Sequence, residues 1–221
     1  MTIMPESYHR RSFVYPRLVA AGAEFGDIAD AAVATAFPAA AAPALGLADL
    51  SPLPRTGIKG PRAIAWLGEQ GWPVPQANNA AELADSGNLV LRLGDRELVV
   101  AATAEPGCNA VLELEASIAG GGAWHVPRRD SNCAFLLRGP DAVDCLAKLC
   151  GVDLRTEHFP PGSIAQTSVA RINAIVCRDF GHEVPTFLLL ADCTSAIWFW
   201  DTLLDAMSEF DGGPLGLRER G

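Results

Sequence analysis

The densest group of side chains able to do chemistry is Trp124-His-Val-Pro-Arg-Arg-Asp130, which brings His125, Arg128, Arg129 and Asp130 within six positions. A guanidinium fork matches the two oxygens of a carboxylate, so Arg128 is a candidate for holding an anionic group. The plainer alternative is a solvated lead-in to the apolar run Cys133–Arg138. A second candidate is Gln166-Thr167, a polar pair inside the otherwise apolar Ser163–Ala170. Buried polar groups need hydrogen-bond partners. Gln166 and Thr167 therefore serve a ligand, a structural contact or an interface.

Other chemistries find no support in the spacing. The six cysteines (Cys108, Cys133, Cys145, Cys150, Cys177, Cys193) form no C-x-x-C, and the four histidines pair with none of them at zinc-ligand spacing. Reduced cysteines acting as small core hydrophobes are expected, with no metal. Gly120-Gly-Gly122 is not followed by a helix pattern, and the Gly-Pro turns lack the Lys-Ser/Thr of a phosphate loop. No Ser/His/Asp or Cys/His arrangement emerges, so no catalytic residue is assigned.

The chain that must position these groups has 221 residues, 49% hydrophobic and 19% charged, enough for a packed core. Its net charge of −9 argues against nucleic acid and anionic membrane surfaces as partners. The Ala31–Ala44 run is broken by Thr35, Pro38 and Pro43 and is too short to span a bilayer. A cytoplasmic protein is expected, since the first residues are polar.

Residues 1–46 read as an irregular arm and linker, with a weak helix over Glu24–Ala36. Order begins near Leu47. Strands are expected at Thr56–Lys59, Asn88–Leu93, Arg96–Ala102, Val111–Glu115, Cys133–Arg138, Ile164–Ala170, Ile172–Arg178 and Thr186–Ala191. Helices are expected at Pro61–Gln70, from the capping-box pattern Asn79–Glu82, from Pro140 to about Cys150, and at Thr194–Phe210. Phe180-Gly-His182 reads as a turn and 211–221 as a frayed tail.

Two segments repeat: Gly57-Ile-Lys-Gly-Pro-Arg-Ala-Ile-Ala-Trp-Leu67 and Leu136-Leu-Arg-Gly-Pro-Asp-Ala-Val-Asp-Cys-Leu146. Each is strand, Gly-Pro turn, helix. The repeat predicts a single α+β domain over 47–210, built from pseudo-symmetric halves at about 47–102 and 123–210 that share a core. In the last helix, Ile197, Trp200, Leu203, Leu204 and Met207 fall on one stripe. Trp198 projects opposite it and Phe199 lies on its flank. A helix apolar around most of its circumference is buried, so Trp198 and Phe199 are candidate interface anchors; a wide intramolecular core is the alternative.

Asp130-Ser131, Arg138-Gly-Pro-Asp-Ala142, Leu146–Leu154, Phe159-Pro-Pro-Gly162, Ala165-Gln-Thr167, Phe187-Leu-Leu-Leu190 and Ile197-Trp-Phe-Trp200 together resemble the gamma subunit of heterotetrameric sarcosine oxidase. The half from Leu47 to Ala102 is similar, more loosely, to the wider aminomethyltransferase family that includes the glycine-cleavage T protein. The resemblance implies two ferredoxin-like halves of the folate-binding aminomethyltransferase type. It implies larger flavoprotein partner subunits carrying flavin, NAD and tetrahydrofolate, which oxidise an N-methyl amine and pass on its one-carbon unit. It implies no chemistry of the small subunit's own. Folate-dependent members place an acidic pair just before the strand that is here Leu89–Leu93, whereas this chain has Ser86-Gly-Asn88. A stand-alone folate-binding or one-carbon-transfer protein of the same fold is the alternative reading.

Overall fold

The computed structural model describes residues 3–38, 43–179 and 183–220; the Phe180–His182 turn and part of the Ala/Pro stretch lie outside them. In chain order the elements are α1 (Tyr15–Ala20), β1 (Glu24–Ile28), β2 (Ala31–Ala36), β3 (Gly46–Asp49), β4 (Arg55–Lys59), α2 (Ala63–Glu69), β5 (Ala80–Leu83), β6 (Leu89–Gly94), β7 (Glu97–Ala101), α3 (Cys108–Ser117), β8 (Trp124–Val126), α4 (Arg128–Ser131), β9 (Asn132–Arg138), α5 (Ala142–Ala147), β10 (Ile164–Val169), β11 (Ile172–Arg178), β12 (Thr186–Asp192), α6 (Ala196–Met207) and β13 (Gly213–Pro214). They build an α+β fold.

The first sheet has the order β5-β6-β7-β4-β8 and the second β10-β11-β12-β9-β3-β13. Each has a central strand that runs into a Gly-Pro turn and a helix, and beside it the last strand of the following β-meander. Within the first, β6-β7-β4-β8 is the strand order of a ferredoxin-like unit. In the second, the place beside β9 that corresponds to β8 is filled by β3, from before the first repeat. The second sheet is therefore completed by residues from the beginning of the chain, and the halves cannot separate as independent domains.

The repeat turns are equivalent in detail. Gly60 (φ 143°) donates its N–H to Arg96 O at 2.8 Å, and Gly139 (φ 151°) donates to Pro185 O at 3.0 Å. A Cβ on either would stand 2.3 Å from a carbonyl oxygen, Gly122 O or Ala44 O respectively. Only glycine fits such a positive φ with backbone this close.

Strands of the second sheet are apolar on both faces because both are covered. Cys133, Phe135 and Leu137 of β9, with Phe187 and Leu189 of β12, face one core with α5 and α6; Ala134, Leu136, Leu188 and Leu190 face the core shared with the first sheet. Alternate side chains of a strand point to opposite faces, so each of these runs serves two cores at once.

Several expectations need correction. The described residues before 47 are not an irregular arm, and Glu24–Ala36 is not a helix. It is an antiparallel hairpin turned by Ala29 and Asp30, both at positive φ (53° and 58°), as a two-residue turn between twisted strands requires. Ala32 and Ala34 of β2 pack into one core, Ala31 and Val33 into the other. A run buried on both faces, with Thr35 as its one polar residue, has no polar face to reveal its period. The tail is not frayed: β13 pairs in parallel with β3, Leu215 is buried, and the 3-10 turn Leu217–Arg220 lies on β2. Ala80–Leu83 is a strand rather than a helix, with Asn79 at φ 57°. Val111–Glu115 belongs to α3, which buries Cys108, Val111 and Leu114 at helical spacing; five alternating residues were too short to decide the period.

Candidate functional site

A recess with a volume of about 480 Å³ opens at one end of the second sheet. The strand register builds it. Gln166 pairs with Ile175 and that with Leu190; Thr167 pairs with Ala174 and that with Ala191; Asp192 pairs with Asn132. These residues and Asn173 form its walls. The two sequence candidates Gln166 and Thr167 therefore share one groove. Asn132, Asn173 and Asp192 complete it, and sequence reasoning missed them because they come together only through cross-strand register.

Gln166 is already committed to structure. Its amide nitrogen donates to Asn79 Oδ1 and to Leu93 O, both at 2.7 Å, joining β10 to the first half. The same seam carries Ile164 N–H to Asn79 O at 3.0 Å and Ala81 N–H to Gly162 O at 2.7 Å. Thr167 is the member of the pair for which no such bond is found among the described residues. Asp192 receives the Thr194 N–H (2.9 Å) and hydroxyl (2.6 Å), and the two together hold its carboxyl below the ordinary carboxylate range.

Arg128 stands behind the groove rather than in it. It donates to Asn132 Oδ1 at 3.2 Å and pairs with Glu97, which also pairs with Lys59 at 2.9 Å. A side chain at Gly57 would collide with the Arg128 stem at 2.9 Å, so the glycine opens the passage from α4 across β4. Arg128 is thus an inter-half tie, and the expectation of a free carboxylate-binding fork is corrected. His125 lies 3.8 Å from Glu115 and away from the groove wall.

Arg55 binds the seam more tightly. It is buried, and its guanidinium donates to the carbonyls of Leu50, Ser51, Leu53, Arg129 and Asn132. Burial pulls its pKa down to about 10, against the opposing pull of Asp49. Asp49 itself is buried, with Oδ1 accepting the Ser51 N–H at 3.1 Å and Oδ2 without a partner among the described residues; burial raises its pKa.

The interface pair divides. Phe199 is fully buried against Phe135, with ring centroids 5.6 Å apart, and is core, not interface. Trp198 is 59% exposed and Ile197 is 41% exposed. The buried stripe of α6 is Ala196, Phe199, Trp200, Leu203, Ala206 and Met207, rotated from the expected one so that Ile197 leaves it. The Trp198 indole N–H reaches Ala170 O at 3.4 Å, laying the ring over the β10–β11 turn.

All six cysteines are thiols outside any disulfide; five are buried and Cys193 is half-buried. Burial pushes Cys133 up to about 12 and Cys145 up to about 11, and raises Cys177 further. Thiols held protonated in this way are poor nucleophiles. Among the described residues no three His, Cys, Asp or Glu side chains gather at a metal-binding distance, and no helix is long and apolar enough to cross a membrane.

At the position where folate-dependent relatives are expected to carry an acid, Asn88 is completely buried. Its Nδ2 donates to Ser86 Oγ at 2.9 Å and Gly107 O at 3.0 Å, while Oδ1 is sealed without a partner among the described residues. A Cβ at Gly107 would fall 2.0 Å from that oxygen, so the glycine makes room for the carboxamide. Asp85 nearby is exposed and lines a separate recess with Trp72 and Leu83. The residues present do not offer a carboxylate to a folate nitrogen.

No family model matches the chain. It is 32% identical over 155 residues to the sarcosine oxidase subunit gamma of Corynebacterium sp. strain U-96, covering 70% of this chain and 72% of that one. It is 30% identical over 129 residues to an aminomethyltransferase of Saccharopolyspora erythraea, covering 58% of this chain but only 35% of that protein's length. Among solved structures, heterotetrameric sarcosine oxidase from Corynebacterium sp. U-96 in complex with pyrrole 2-carboxylate superposes with a TM-score of 0.68 at 24% identity, over 92% of this chain and 97% of that one. The glycine cleavage system aminomethyltransferase T from Bartonella henselae gives 0.74 at 18% identity, over 96% of this chain and 60% of the other.

Proposed function

Because this chain belongs to the sarcosine oxidase gamma-subunit family, we propose that it is the small, non-catalytic subunit of a heteromeric amine oxidoreductase of that type. The larger subunits hold flavin, NAD and tetrahydrofolate, demethylate an N-methyl amine and transfer the released one-carbon unit. The observation that carries the reading is correspondence over nearly a whole subunit: the fold covers 97% of the matched sarcosine oxidase chain, against 60% of the aminomethyltransferase. Asn88 supports the absence of folate chemistry in this chain, since its carboxamide is completely buried and locked by Ser86 and Gly107. Exposed Trp198 on α6 is the anchor offered to a larger subunit.

The test is expression of a tagged chain in its native host. The expected result is co-purification with larger chains, a visible flavin spectrum and oxidation of an N-methyl amine by the complex. The chain expressed alone is expected to be colourless and inactive. Purification as a lone species from its host, or turnover of an N-methyl amine by the isolated chain with tetrahydrofolate, overturns the reading.

A further inference from the structure

A recess of about 260 Å³ lies where the segment before α1 meets α4, apart from the groove of the second sheet. His9, Arg10, Arg11 and Arg129 line it, with Ser51 at its base and Asp130 as the one carboxylate in its wall. Three arginines and a histidine share this lining with one carboxylate, in a chain of net charge −9.

Its parts are held in place. The backbone at Arg10 is fixed on the hairpin, where Arg10 O accepts the Ala32 N–H at 3.1 Å. The Arg10 side chain pairs with Asp130 at 2.6 Å. Arg129 is anchored from behind: its Nε and Nη2 donate to Pro52 O at 3.0 and 2.7 Å, and Nη2 also reaches Ala29 O at 3.4 Å. That leaves Nη1 without a partner among the described residues. Arg11 makes no ion pair among them and lies over the Tyr15 ring at 5.3 Å. The guanidiniums also repel one another. Burial first, and the Arg10 charge second, lower the pKa of Arg129, and the buried Arg55 behind Ser51 is lowered in part by Arg10 and Arg129. A bound negative charge would relieve that repulsion.

We propose that this recess binds a small oxyanion, a carboxylate or a phosphate group, between the Arg10, Arg11 and Arg129 guanidiniums. Arginine forks match both anions geometrically. The volume is below the roughly 300–1,000 Å³ usual for drug-sized ligands, so the ligand is a small anion or one anionic end of a longer molecule. The site does not depend on the subunit role.

The test is calorimetric titration of the full chain with sodium phosphate and, separately, sodium malonate, at ionic strength held constant with sodium chloride. Saturable binding is expected, weakened by about tenfold or more in Arg11→Gln, since one charge-assisted contact is lost. Arg11 is exposed and bonds no backbone carbonyl among the described residues, so this variant should fold. Arg155→Gln, which removes a surface arginine paired with Asp153, should bind as the parent does. Tighter malonate assigns the site to carboxylates and tighter phosphate to phosphoryl groups. No saturable binding of either anion, or affinity unchanged in both Arg10→Gln and Arg11→Gln, overturns the proposal.

Discussion

The two halves share a strand order and a turn, yet they are finished differently. The first sheet is covered by α2 and the amphipathic α3, which exposes Glu113 and half-exposes Glu115. The second is covered by α5 and by α6, whose aromatic stripe packs Phe199 and Trp200 on Phe135. It also takes β3 from the beginning of the chain in the place of β8 and adds β13 beyond it, and α1 packs over it, tied to α6 by the bidentate Arg17–Asp201 pair. The repeat thus specifies two frames, while the chain ends decide which frame is thickened. The thickened half is also the one whose outer helix leaves a tryptophan uncovered.

The sharpest way to break the equivalence is at its turns. Gly60→Ala and Gly139→Ala should each cost more than about 3 kcal/mol, because a Cβ meets backbone as well as an unfavourable φ. Gly71→Ala, at φ 81° with nothing near the new methyl, should cost only about 1 kcal/mol. Denaturant melts check all three. If Gly139→Ala is tolerated while Gly60→Ala is not, the two turns are not equivalent in energy. Truncating the cores comes next. Phe199→Ala should cost about 3–5 kcal/mol and the smaller Val111→Ala of α3 less, by the cavity each leaves. Equal losses would show that the aromatic stripe contributes less than its buried size predicts.

Asn88 tests the first half. In Asn88→Asp an acceptor replaces the donor that serves Gly107 O, in a site with no exposure. The variant should lose about 2–3 kcal/mol near neutral pH. Burial raises the new carboxyl's pKa in the folded state, so the loss should shrink as pH falls and the group protonates. The same variant should gain no folate-dependent transfer activity; a gain would mean that the position faces a substrate after all.

How much of this was legible beforehand depended on what set each feature. The Gly-Pro turns were readable because only glycine tolerates φ near 143° with a carbonyl oxygen beside it. The strands Leu89–Gly94 and Thr186–Asp192 were readable from their apolar content. The β1–β2 hairpin was not, since its alanines bury both faces and carry no polar phase. Of the groove, Gln166 and Thr167 stood out as polar residues in an apolar run. Asn132 and Asp192 sit at strand ends, where polar residues are ordinary, and only the β9–β12 register places them opposite each other. Arg128 and Arg129 were visible as charges, but their partners Glu97 and Pro52 lie far away in sequence.

The seam between the halves has its own titration. Asp49 is buried with one unpartnered oxygen, and burial raises its pKa above the unfolded value of about 3.9. A raised folded value means that the group's stabilising contribution is complete below the unfolded pKa and is lost as pH rises through the folded one. Asp49→Asn removes that dependence while Arg55 keeps its five backbone carbonyls. The melting temperature of the variant relative to the parent should therefore climb as pH rises through the folded value of Asp49. A parallel pair of curves would show that Arg55 holds Asp49 ionised throughout.

Trp198→Ala should have the smallest effect on the fold and the most informative one on assembly. The side chain is 59% exposed, and its one hydrogen bond, to Ala170 O at 3.4 Å, is long. Surface substitutions of this kind usually change stability by less than about 0.5 kcal/mol. A large exposed aromatic beside the exposed Ile197 has more to offer a partner, and removing such an anchor from an interface core can cost about 2 kcal/mol or more. The paired measurement is a thermal melt of the isolated chain beside retention of larger chains on a tagged variant. An unchanged melt with lost retention places the partner on the outer face of the second half. A lowered melt with intact retention makes Trp198 a lid over the β10–β11 turn, and the difference between the halves is then a matter of internal packing alone.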